Sequence, residues 1–296
     1  MTIRDRLAAP APTLSFELFP PRTPEAQDAL WDTIARLAEA GPDFASITYG
    51  ASGTTRRSSR DVVRRLAHAH TISPLAHLTC VDQSRDEVAQ VVGEFLDEGV
   101  RDFLALRGDP PVGQPDWRPH PDGLRYASEL VAHIRDVAVA RGIARDELSI
   151  GVAAFPAAHA QEQWRQQGLD VLRAKQDAGA DFAVTQVFYD AAQWRALVDD
   201  ARADGIDLPI LPGIIPLLST GRAARLEQLT GVPAPDVLLA SLEAAETEEA
   251  ARDAGVDFAA SLARELIDAG APGIHVYTFN RHEAALALVA AAGLGR

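Results

Sequence analysis

Ser15-Phe16-Glu17-Leu18-Phe19-Pro20-Pro21-Arg22 is the stretch on which the fold of this chain turns. Leu14, Phe16 and Leu18 alternate with Ser15, Glu17 and Phe19, the two-residue period of an extended segment. Pro20-Pro21 then forbids continuation into a helix or a ladder. The strand therefore delivers one acid to the point where it opens onto a loop. Partial desolvation at such a place favours the protonated carboxyl, which is what a general acid working near neutral pH needs. Glu17 is the first candidate for chemistry, and the competing reading is a carboxylate paired with an arginine at a strand end.

Outward from this strand the chain alternates in period. Pro24 to Ala40 carries Leu30, Ile34 and Leu37 at helical spacing, and Phe44 to Tyr49 is a second strand ending in Gly50-Ala51-Ser52-Gly53. The same rhythm predicts strands at 75–80, 102–106, 149–155, 182–188, 208–214 and 273–279. Helices are expected at 61–69, 85–98, 124–141, 161–178, 191–204 and 283–292, with a longer helical connection over 222–269. Glu39-Ala40-Gly41, Asp97-Glu98-Gly99, Asp177-Ala178-Gly179 and Asp268-Ala269-Gly270 each read as a helix closed by a C-cap glycine that leads into a strand. Eight strands in strict alternation with helices imply an α/β fold, a (β/α)8 TIM barrel in one domain over 13–296, with an N-terminal arm over 1–12. A doubly wound open sheet is the alternative; it normally places a Gly-rich phosphate turn after its first strand, where this chain has two prolines.

Composition narrows the partners. With 296 residues, 47% hydrophobic and 24% charged, the chain can bury a sizeable core. A formal net charge of −14 without a basic run argues against nucleic acid or an anionic membrane and for a small-molecule partner. Cys80 is the one cysteine, so no internal disulfide is available, which suits a reducing cytoplasm. The first residues lack the apolar core of a signal peptide, and no stretch has the length of a membrane span. Of 28 basic residues, 27 are arginine and Lys175 is the single lysine, a place where a compact ammonium cannot be exchanged for a planar guanidinium, or a matter of chance.

A barrel places its working groups at the C-terminal ends of its strands, and Glu17, Thr48, His77, Asp109, His159, Gln186 and Arg281 all fall at or just after such ends. Glu17 and Asp109, from strands one and four, should face each other across the mouth. One can protonate a leaving nitrogen while the other, ionised, holds a heterocycle by its N–H donors; the plainer reading of Asp109 is a turn residue before two prolines. A histidine inside an apolar strand, such as His77, is more often a satisfied core group than a working one. His68, His70, His120 and His133 read as surface residues. No histidine and carboxylate spacing suits a metal, and no Gly-x-Ser-x-Gly elbow is present. Gly50 to Gly53, with Thr54 and Thr55, offers amides and hydroxyls to an anion or a flat ring on the same rim. Arg22, Arg56 and Arg57 can reach an anionic tail, although exposed arginines are more often simply solvated.

Taken in order, Ser15–Arg22, Ile47-Thr48-Tyr49-Gly50-Ala51, Ala76-His77-Leu78-Thr79-Cys80, Ala105-Leu106-Arg107-Gly108-Asp109-Pro110, Thr185-Gln186 and Tyr277-Thr278-Phe279-Asn280-Arg281 resemble the methylenetetrahydrofolate reductase family, in its bacterial single-domain form. The resemblance spans almost the whole chain. It implies a TIM barrel that reduces 5,10-methylenetetrahydrofolate to 5-methyltetrahydrofolate with NADH or NADPH. Glu17 would protonate a ring nitrogen to give an iminium that accepts hydride. It also implies that Asp109 contacts the pterin and the flavin, Gln186 the folate or nicotinamide, and Arg281 the folate. Thr48, Tyr49, Ala51, His77, Arg107, Gly108, Tyr126, His159 and Lys175 match positions around FAD.

The chain departs from the family at Pro156-Ala157-Ala158-His159-Ala160, where Pro-Glu-x-His-Pro is usual. Gly168 and Val171 stand where the family often has Asp and Asn, and Leu217–Thr220 where its loop often presents an aromatic ring. Lost polar groups at 168 and 171 remove hydrogen bonds to a flavin. Two routes for the hydride therefore stay open: through FAD, or directly from the nicotinamide. Alternatives to the reductase are a folate-binding barrel that has lost catalysis and a barrel of another chemistry, such as a carbon–carbon lyase. The lyase would need a metal or a strand-borne Schiff-base lysine, and Lys175 is on a helix. Self-association is left open by the sequence.

Overall fold

The computed structural model describes residues 1–49, 53–69, 72–109, 118 and 120–295. Of the positions singled out above, Ala51, with its neighbours Gly50 and Ser52, and His70 lie outside the described residues. Among the described residues nine parallel strands form one sheet: β1 (Thr13–Leu18), β2 (Phe44–Ile47), β3 (Ser73–Thr79), β4 (Asp102–Leu106), β5 (Ser149–Ala154), β6 (Phe182–Thr185), β7 (Ile210–Leu211), β8 (Gly213–Ile214) and β9 (Gly273–Tyr277). Their order, β7-β6-β5-β4-β3-β2-β1-β9-β8, wraps the sheet into a nearly closed barrel. Twelve helices are described: α1 (Ile3–Leu7), α2 (Pro24–Ala38), α3 (Gly53–Ala69), α4 (Arg85–Asp97), α5 (Ala127–Ala140), α6 (Pro156–His159), α7 (Glu162–Asp177), α8 (Ala191–Ala203), α9 (Thr220–Thr230), α10 (Asp236–Glu243), α11 (Glu248–Asp268) and α12 (His282–Ala292). Gly41, Gly99, Gly179 and Gly270 close their helices with φ of 65°, 86°, 102° and 89°, as the repeated helix endings predict.

The expected seventh strand, 208–214, is broken in two at Pro212. Proline has no N–H to give the ladder, and here the segment changes partner. Leu211 pairs with Val184 of β6, whereas Gly213 and Ile214 pair with His275 and Val276 of β9. One continuous segment thus joins the two edges of the sheet. Gly213 is required by close approach: a Cβ there would lie 2.5 Å from the Thr185 carbonyl and 2.6 Å from the Tyr277 ring.

Alternation decides what each strand face buries. Leu14, Phe16 and Leu18 of β1, with Ile274 and Val276 of β9, point outward into the main core beneath the helices. A second cluster, with Phe44, Leu75, Leu104, Phe182, Val184 and Leu211, fills the barrel interior. Ile3 and Leu7 of α1 belong to that interior cluster. The segment before β1 is therefore a helix that closes the N-terminal end of the barrel. Asp102, at the start of β4, holds α1 there by accepting the Ile3 N–H at 2.9 Å. Ile3 is fully buried, so Ile3→Ala should leave a cavity at the barrel floor and cost about 2–4 kcal/mol of stability in urea unfolding.

Candidate active site

The inward faces change character along the barrel axis. Above the apolar interior lies a polar layer in which His275 bonds Ser15 Oγ through Nδ1 (2.8 Å) and Ser46 Oγ through Nε2 (3.3 Å). Both ring nitrogens of this fully buried histidine are satisfied by hydroxyls, one from β1 and one from β2. One layer higher, Glu17 stands opposite Tyr277 and Ser46 in strand register. Its Oε2 lies 3.7 Å from His77 Nε2 and 4.0 Å from His275 Nε2. Tyr277 does not bond the acid: its hydroxyl donates to the Thr185 carbonyl at 2.6 Å. Desolvation and the nearby Glu17 hold that phenol well above its ordinary range, so it stays protonated.

His77 is 5% exposed, and burial pushes its imidazole down to about 4; Glu17 opposes the shift and His275 adds to it. Its Nε2 is buried without a hydrogen-bond partner. A neutral imidazole and a carboxyl group at 3.7 Å, too far for a direct bond, leave both groups free for a third, polar molecule.

These groups open into a cavity of about 860 Å³ at the C-terminal ends of the strands. Of the residues expected at the site, Glu17, His77, Arg107, Gly108, Asp109, Tyr126, Lys175 and Gln186 all line it. Wide separation in sequence is closed by the barrel, as anticipated. Thr48 and Tyr49 follow β2, half-buried, and are not among the cavity's lining residues; nor is Arg281, which is exposed. His159 lies on α6 rather than at the cavity wall. It is 2% exposed, with Nε2 3.0 Å from Asp200 Oδ2, and lines a smaller adjoining chamber of about 240 Å³. His133, expected at the surface, is half-buried and its Nε2 lies 3.0 Å from the Arg85 carbonyl.

Lys175 is shared by the cavity and the chamber. Its ammonium is 6% exposed and donates to the Ala153 carbonyl at 2.7 Å, and burial lowers it to about 8. No carboxylate pairs with it among the described residues, so it is a charge held ready for an anion. On the same helix, Gly168 and Val171 add no polar atom, and a Cβ built at Gly168 would meet nothing within 4 Å. Gln167 and Asp170, one residue ahead of each, do line the cavity. They return an amide and a carboxylate to that wall. With Lys175, this wall offers donors from an amide and an ammonium and acceptors from a carboxylate, a set that fits the phosphates and hydroxyls of a dinucleotide such as FAD.

His275, Ser46, Tyr277, Gln167 and Asp170 were not among the expected site residues. Gly273, His275 and Tyr277 share one strand face, a signal the sequence does contain. The rotation of α7 that turns Gln167 and Asp170 inward leaves none.

Fold and site together define a TIM barrel whose cavity at the C-terminal ends of the strands carries Glu17, Asp109 and Asp170. A sequence model described as methylenetetrahydrofolate reductase matches residues 2–293. The 5,10-methylenetetrahydrofolate reductase of Salmonella typhimurium is 33% identical over 93% of this chain and 88% of its own length. Methylenetetrahydrofolate reductase 1 of Schizosaccharomyces pombe is 34% identical over 99% of this chain, which spans 49% of that protein. A solved structure of an uncharacterized protein from Clostridium thermocellum, described as binding two copies of 5-methyl-5,6,7,8-tetrahydrofolic acid, superposes with a TM-score of 0.67. It is 15% identical, covering 99% of this chain and 98% of that one. The chain belongs to the methylenetetrahydrofolate reductase family.

The lowered His77 makes acid stability testable. The unfolded chain takes up this proton below about pH 6.5, and the folded chain only near 4. The contribution is therefore intact above pH 6.5 and is lost as pH falls toward 4, by up to about 3 kcal/mol. In urea unfolding at pH 7.5, 5.5 and 4.5, His77→Gln should lose less stability across this window than the wild type, by about one proton's linkage.

Proposed function

We propose that this protein reduces 5,10-methylenetetrahydrofolate to 5-methyltetrahydrofolate with NADH or NADPH, with Glu17 as the general acid. The observation that carries the reading is the placement of Glu17, 3.7 Å from a neutral His77 in the wall of an 860 Å³ cavity. Family membership supplies the reaction class.

Opening the five-membered ring requires a proton on the nitrogen that leaves the bridging carbon. Glu17 is the acid in the cavity closest to the barrel floor, and it donates that proton as the carbon–nitrogen bond breaks. The product is an iminium at the remaining nitrogen. Its electrophilic carbon accepts hydride and becomes the methyl group. Two electrons leave the nicotinamide and two enter the folate, so the reaction balances. His77 stays neutral and adds no positive charge beside the developing cation. Desolvation keeps Tyr277 protonated, with its hydroxyl directed to Thr185 and away from the acid. Asp109 and Gln186 line the same cavity and offer acceptors and donors to the pterin edge.

When bound, FAD supplies a two-electron relay between nicotinamide and folate. Lys175, Gln167 and Asp170 are the residues that would hold it or the nicotinamide dinucleotide along α7.

Glu17→Gln keeps the shape and removes the proton. Its turnover should fall by about a hundredfold or more, while calorimetry still detects binding of 5-methyltetrahydrofolate. Undiminished turnover in this variant would refute the assignment of Glu17.

A further inference from the structure

β1 and β9 pair in register up to Glu17 and Tyr277, and there the ladder between them stops. Beyond that point side chains of the segment after β9 take over the bonding of β1. Thr278 Oγ1 donates to the Glu17 carbonyl at 2.7 Å. The Asn280 amide group clasps the Phe19 backbone, accepting its N–H at 2.8 Å and donating to its carbonyl at 2.9 Å. From the side of β2, the Thr48 N–H donates to the Leu18 carbonyl at 3.0 Å. The carbonyls of Glu17, Leu18 and Phe19 are thus all held before Pro20-Pro21 turns the chain away.

The clasping segment is itself fixed. The Thr278 hydroxyl accepts the Asn280 N–H at 3.0 Å, the Thr278 carbonyl accepts the Arg281 N–H at 2.9 Å, and Thr33 Oγ1 donates to the Asn280 carbonyl at 3.4 Å. Phe279 and Asn280 take φ of 48° and 56°, in the left-handed region. Asparagine tolerates that region better than most side chains, whereas a phenylalanine there is strained. The Phe279 ring stacks on Phe19, with centroids 5.4 Å apart. Position 280 therefore needs two properties at once. Glycine would fit the backbone and bring no amide; aspartate would accept from the Phe19 N–H but could not donate to the Phe19 carbonyl. Strain kept in a segment held by this many contacts points to a use for its shape.

That use concerns the acid. No side chain among the described residues hydrogen-bonds the Glu17 carboxyl: His77 Nε2 at 3.7 Å and His275 Nε2 at 4.0 Å are both too distant. With no partner to aim it, the carboxyl takes its position from its own backbone, at a strand end that opens onto a loop and would otherwise fray.

We propose that Thr278 and Asn280 are positioning residues for the acid, holding residues 17–19 so that the Glu17 carboxyl meets the leaving nitrogen of the substrate. The proposal rests on the role of Glu17 proposed above.

Three variants test it. Thr278→Val keeps the side chain's shape and loses the hydroxyl, Thr278→Ser restores the hydroxyl, and Asn280→Asp keeps only the accepting half of the clasp. Each is compared with wild type in kcat and KM for methylenetetrahydrofolate, in calorimetric binding of 5-methyltetrahydrofolate and in urea unfolding. Positioning predicts that Thr278→Val and Asn280→Asp lower kcat about tenfold or more. KM and the dissociation constant should stay within about twofold of wild type, and Thr278→Ser should recover most of the lost kcat. In a Glu17→Gln background the same changes should cost nothing further, since placement matters only while the acid is there to give a proton. Wild-type kcat in both Thr278→Val and Asn280→Asp would overturn the proposal. So would a loss confined to KM and binding, which would make the segment part of the substrate's own site. An equal loss of kcat with and without Glu17 would do the same, by making the segment's role purely structural. Wild type that forms no 5-methyltetrahydrofolate, or Glu17→Gln that turns over undiminished, would overturn both the proposal and the reading of the site beneath it.

Discussion

In a parallel strand, neighbouring side chains leave on opposite faces, and β1 uses this to send Leu14, Phe16 and Leu18 into the helix layer and Ser15 and Glu17 into the barrel. The rest of the site depends on that constraint. A slip of one residue would put the acid among the helices and a phenylalanine in the mouth. The register is held on both sides, by β2 and by β9, and the outward leucines and phenylalanine make the alternative costly.

Below Glu17 the barrel grades from dry to polar in three steps. Ile3 and Leu7 seal the bottom, the large apolar residues fill the middle, and the Ser15–His275–Ser46 layer offers hydroxyls and imidazole that are already satisfied. No water-filled channel is needed to support the acid from beneath. His77 Nε2, buried without a partner, and the Lys175 ammonium, bonded to the Ala153 carbonyl but paired with no carboxylate among the described residues, border the open side. Binding capacity is therefore concentrated where a ligand can arrive.

Much of this was legible in the sequence, for reasons that differ between residues. Glu17 could be read because alternation and two prolines mark both its face and the end of its strand. The barrel followed from eight repeats of one rhythm, although the break at Pro212 shows a proline inside a strand acting as a change of partner. α1 was missed because five residues give too little periodicity, yet Ile3 and Leu7 do sit four apart on one helical face. His159 was expected at the mouth because it follows β5 closely. The short turn of α6 instead carries it to Asp200. Gly168 and Val171 carry no polar side chain, while Gln167 and Asp170 beside them line the cavity, a helix rotation that spacing alone does not give.

The fate of the folate carbon is the most direct test of this barrel as a reductase. Wild-type protein incubated with methylenetetrahydrofolate and NAD(P)H, with the products separated and weighed by mass spectrometry, should yield one 5-methyltetrahydrofolate for each NAD(P)H oxidised. Oxidation of NAD(P)H without a methyl product, or folate binding with no oxidation, would contradict it.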